Sequence, residues 1–98
     1  MMAMLEQRIY DADQARQVLE NPAFAQAMQD IKQELTEQWM QSPARDEAGR
    51  EKLWLMIKMA DKLNLALRSS LESGQLAREE LKHQRTMLER ARSAVGLS

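Results

Sequence analysis

The chain is predicted to be all-α, on three observations. Charged residues make up 30% of it and aromatics 4%, with Gln, Glu, Ala, Leu, Met and Arg prominent, which is the composition of long helices. Apolar residues recur at three- and four-residue spacing through most of its length. Pro22, Pro43, Gly74 and Gly96 stand where that pattern pauses.

Residues 1–10 show no clear periodicity and are read as a flexible lead-in to a single helical domain spanning residues 1–98. Asp11 with Gln14 three residues on makes an N-cap and capping-box partner, and Ala15, Val18 and Leu19 give the short helix that follows a small apolar face. Pro22 ends that helix at Asn21, because it disfavours helical backbone in the residue before it. Asn21 and Pro22 then serve as N-cap and first residue of a helix over about 22–41. Its stripe is Phe24, Met28, Ile31, Leu35 and Trp39, and its opposite face is polar.

Gln41, Ser42 and Pro43 break the pattern, and Asp46 is the expected N-cap of a third helix over about 47–72. Leu53, Met56, Ala60, Leu63 and Leu67 form its stripe, widened by Trp54, Ile57 and Leu71. Folding the chain about residues 43–46 sets the two stripes against each other as an antiparallel helical hairpin. Ser73 and Gly74 read as a C-cap, followed by a separate C-terminal helix over about 75–94. The alternative is continuity: Leu53, Ala60, Leu67, Gly74, Leu81, Leu88 and Val95 keep a seven-residue spacing throughout.

A chain of 98 residues buries a modest fraction of its surface, so self-association is the expected way to gain core. Net charge is -1, which gives no global electrostatic argument for nucleic acid or an anionic membrane as a partner. The front is acidic, with seven acids against three bases in residues 1–41, and the end is mildly basic. Cysteine is absent, and the longest apolar runs are far too short to span a membrane.

His83 has only Glu79 and Glu80 nearby, too few ligands for a metal site. The serines lack a partnered base, so no catalytic residue, cofactor or small-molecule substrate is expected and the chain is read as a non-enzyme. Arg45, Arg50, Lys52 and Lys58 are interleaved with acids and read as a solvated face. Nucleic acid is a less favoured partner, with Arg78, Lys82, Arg85, Arg90 and Arg92 as the residues that would meet it. Trp39, Trp54, Leu81, Leu88 and Val95 are the candidate protein-binding residues, the two tryptophans being read first as closing the hairpin core.

The segments NPAF at 21–24, Trp39, SPARDEAGREKLWLMIK at 42–58 and SGQLA at 73–77 resemble a family of short helical proteins of tailed bacteriophages. The resemblance covers roughly residues 12–80 and rests on packing and capping residues, so it carries over no functional site. It implies a product of the DNA-packaging and head-assembly gene region. On that basis the expected function is a phage assembly or virion protein, acting by self-association or by docking on a head component, in the host cytoplasm or the virion. A small DNA-packaging or regulatory factor and an inhibitor of a host protein are the alternatives.

Overall fold

The computed structural model describes residues 2–96, with side chains over 3–95. Three helices account for the fold: α1 (Met2–Glu20), α2 (Pro22–Gln41) and α3 (Glu47–Gly96). They form an elongated body with extents of 80 × 26 × 17 Å. The long axis is set by α3, whose 50 residues span about 75 Å at 1.5 Å per residue. Helices α1 and α2 lie end to end along it, both antiparallel to it, joined by the single residue Asn21.

The expected chemistry holds at both junctions. The Asn21 side chain accepts hydrogen bonds from the Ala23 and Phe24 amides at 2.9 and 3.3 Å, with Pro22 in the first turn of α2. Asp46 caps α3, its carboxylate accepting from the Gly49 amide at 3.1 Å while its carbonyl accepts from the Arg50 amide. A methyl group on Gly49 would collide with that carboxylate, so the glycine keeps the cap in place.

Two expectations are corrected. The first concerns residues 1–10: helix α1 starts at Met2 rather than at Asp11, and Leu5 is buried. Met1 lies outside the described residues. The inward face of α1 is Leu5, Arg8, Ala12, Ala15 and Leu19, a heptad spacing with two small residues at its centre, whereas Val18 faces outward. The second concerns Gly74, which is not a stop: α3 runs through it without a break.

The reason is the approach of α1. Gly74 is buried, and a methyl group there would overlap the Ala12 Cβ and sit 3.1 Å from the Arg8 carbonyl oxygen. Gly74, Ala12, Ala15 and the fully buried Ala77 let the two backbones come close enough to pack directly. Arg8 ties the edge of this contact by donating to the Ser73 hydroxyl and carbonyl, both at 2.9 Å. Further along, Leu19 shares a groove with Arg68 and Leu71, which fixes the antiparallel direction.

The α2–α3 half is packed differently. None of the residues of α2 is buried, and the buried hydrophobic residues, Leu5, Ala12, Ala15 and Ala77, all belong to the α1–α3 half. Phe24, Met28, Leu35 and Trp39 face α3 half-buried, as their spacing predicts, but Ile31 is 47% exposed. Its neighbour Lys32 takes the inner edge and pairs with Asp61 of α3. The hydrogen bond from Lys32, opposed by partial desolvation and helped by the charges of Lys32 and Lys58, holds the Asp61 carboxyl below its ordinary range.

Candidate interaction surface

The turn between α2 and α3 is held by a residue that the sequence reading placed on a solvated face. Arg50 sits three residues before Leu53 and seven before Ile57, in register with the inward stripe of α3. Its guanidinium lies over the Trp39 ring, 4.4 Å from the centroid. It donates to the Trp39 carbonyl at 3.1 Å, the Ser42 carbonyl at 3.1 Å and the Ser42 hydroxyl at 2.9 Å. A helix C-terminus leaves carbonyls without intrahelical donors, and Arg50 from the following helix supplies the donors for α2. Trp39 is therefore part of the turn, as its structural reading expects.

Trp54, by contrast, is 48% exposed, with the Lys58 ammonium over its ring at 5.4 Å. Leu81 is half-buried, and Leu88 and Val95 are exposed at 56% and 73%. The five basic residues do not act as one group. Arg78 pairs with Asp13 of α1, an exposed contact of small energetic value. Counting back from Ala12 against Gly74, Met2 lies level with roughly residue 84, so α3 overhangs α1 by about three turns. Arg85, Arg90 and Arg92 are exposed on this overhang and Lys82 at its base. Lys82, His83, Glu79, Thr86, Met87 and Arg90 line a shallow hollow there of about 280 Å³. Among the described residues, no three of His, Cys, Asp and Glu group to hold a metal ion.

Two further surfaces lie between the helices, and neither was evident from spacing alone. On one edge of the α2–α3 pair, where Lys32 meets Asp61, a groove of about 550 Å³ opens toward the Asn21 junction. Leu19, Phe24, Ala25, Met28 and Leu71 make its floor, with Arg68 at the rim. On the opposite edge of the pair, Met56 and Leu63 flank Ala60 on α3, and Ile31 lies beside Phe24 on α2. With Met59 they form an apolar flank in which Ile31, Met56 and Leu63 are 47%, 51% and 50% exposed and Met59 71%. Periodicity marks Met56 and Leu63 as core; that they are only half covered follows from α2 being the single helix laid against this part of α3.

These features define an all-α protein with exposed apolar strips on a helical hairpin. Among the described residues, no helix is long and apolar enough to cross a membrane. The chain matches no protein-family model, no curated protein and no solved structure.

Proposed function

We propose that this chain is a non-enzymatic phage assembly or virion protein that works by binding helical surfaces, either of its own copies or of a head component. The observation that carries the reading is the exposed apolar flank at Ile31, Met56, Met59 and Leu63, on a hairpin half with no buried side chain of its own in α2. Half-covered apolar rows of this kind are what a helix presents to a partner. The phage assignment comes from the resemblance carried by NPAF, Trp39, the 42–58 segment and SGQLA.

A second reading, binding to duplex DNA, is supported by the overhang that displays Arg85, Arg90 and Arg92. The two readings separate in one experiment on the purified chain. Light scattering is followed over a concentration series, alone and with purified portal, capsid and scaffold proteins of the source phage, and duplex DNA is tested in parallel. The assembly reading expects a higher mass alone or a complex with a head protein. A strict monomer that binds none of these proteins would overturn it, and DNA binding that weakens steeply with salt would move the function to the overhang.

A further inference from the structure

We propose that the flank formed by Ile31, Met56, Met59 and Leu63 is covered by a second copy of this chain, with α3 of each copy lying on α2 of the other. This rests on the assembly reading and names its partner. Three features of the molecule lead to it.

The first is area. Four large apolar side chains, each about half exposed or more, present on the order of 400 Å² in one run, within the range of the largest apolar patch on a typical monomer, which is often functional. Together with the polar rows beside them, this approaches the roughly 800 Å² per partner of a standard interface. The second is the structure of the half itself. Two helices touching along one narrow stripe, with no buried residue in α2, are an incomplete layer, and a matching pair of helices completes a four-helix arrangement.

The third is charge. Helix α2 displays Asp30, Glu34 and Glu37, and its one base, Lys32, is taken up by Asp61. Beside the flank, α3 displays Lys52 and Lys62, whereas Glu51 points to the back of the helix and Lys58 lies toward the other edge, over Trp54. On α2, Asp30 and Glu34 accept hydrogen bonds only from Gln26 and Gln38, and none of these acids or lysines takes part in an ion pair among the described residues. Laying α3 on the other copy's α2 sets bases on acids at both contacts of a two-fold pair, whereas α3 on α3 would set lysine on lysine.

The test is sedimentation velocity on the full chain over a concentration series, with circular dichroism as the folding control. The wild type is expected to be a reversible dimer. Met59→Glu, at an exposed position, is expected to stay helical and to weaken the dimer at least about tenfold by burying a carboxylate. Lys52→Glu/Lys62→Glu and Asp30→Lys/Glu34→Lys should each be monomeric, and an equimolar mixture of the two should form a heterodimer. Should Met59→Glu unfold, the charge-swapped pair decides alone.

A wild type that remains monomeric to about 1 mM overturns the proposal. So does a folded Met59→Glu variant that dimerises as tightly as wild type, or a charge-swapped mixture that stays monomeric. Each of these results leaves the assembly reading standing if a head component is still bound, so the two fail separately.

Discussion

Gly74→Ala is expected to destabilise the protein, although alanine is the better helix former. In an uncovered helix the exchange would stabilise by about 1 kcal/mol. Here the new methyl meets the Ala12 Cβ and the Arg8 carbonyl of α1, and backbone atoms have no rotamer by which to move aside. The helices must part, loosening the contact that also buries Ala15 and Ala77. Overpacking of this kind costs about 1–3 kcal/mol, which exceeds the propensity gain at all but its lower end. The net loss, up to about 2 kcal/mol, should lower the melting temperature of a chain this size by about 4–8 °C per kcal/mol. Adding Ala12→Gly should relieve the overlap, so a double-mutant cycle should show favourable coupling between the two positions. Thermal denaturation of the four proteins reads the result, and a Gly74→Ala variant more stable than wild type would mean that α1 does not press on α3.

The second large effect belongs to Arg50. Arg50→Ala removes three hydrogen bonds to the end of α2 and the cation over Trp39. Charge-assisted hydrogen bonds are worth about 1.5–3 kcal/mol and the ring contact about 0.5–1, and because they share one side chain they do not add. A loss of about 2–3 kcal/mol in denaturant unfolding is expected. Arg50→Lys should recover less than half of it, since one ammonium cannot span acceptors that a planar guanidinium reaches together. Arg45→Ala, at an exposed position in the same turn, should change stability by no more than about 0.5 kcal/mol. An Arg50→Ala variant that matches Arg45→Ala would show that the turn is held by other means.

Much of the architecture was legible because its signals are local. Asn21 with Pro22 and Asp46 with its free amides act within a turn of themselves, and the structure places them as their chemistry requires. The stripe of α2 was legible because Phe24, Met28, Leu35 and Trp39 are large. Helix α1 was missed in its first half because its inward positions there are only Leu5 and Arg8, a single apolar residue and a charged one, too few to reveal a period.

Gly74 is the instructive case. A glycine in register with a heptad has two physical meanings, a helix end or a close approach, and only a helix more than 60 positions earlier in the chain decides between them. Arg50 was misread, and Lys32 passed over, for a related reason. Both stand in the register of an apolar stripe, and a charge there signals a specific partner, which for each of them lies on the other helix of the hairpin. The flank around Met59 was hidden because periodicity shows which residues can be covered but not how many helices are present to cover them.

Helix α3 is one continuous rod along which α1 and α2 are laid, and that continuity can be measured. The most direct measurement is the distance between spin labels at positions 51 and 89, by pulsed electron paramagnetic resonance on labelled protein diluted with unlabelled copies. Both positions are exposed. A continuous helix predicts a single narrow distribution at about 57 Å, from 38 steps of 1.5 Å. A distribution centred below about 35 Å, as a chain folded back at Gly74 would give, would contradict it.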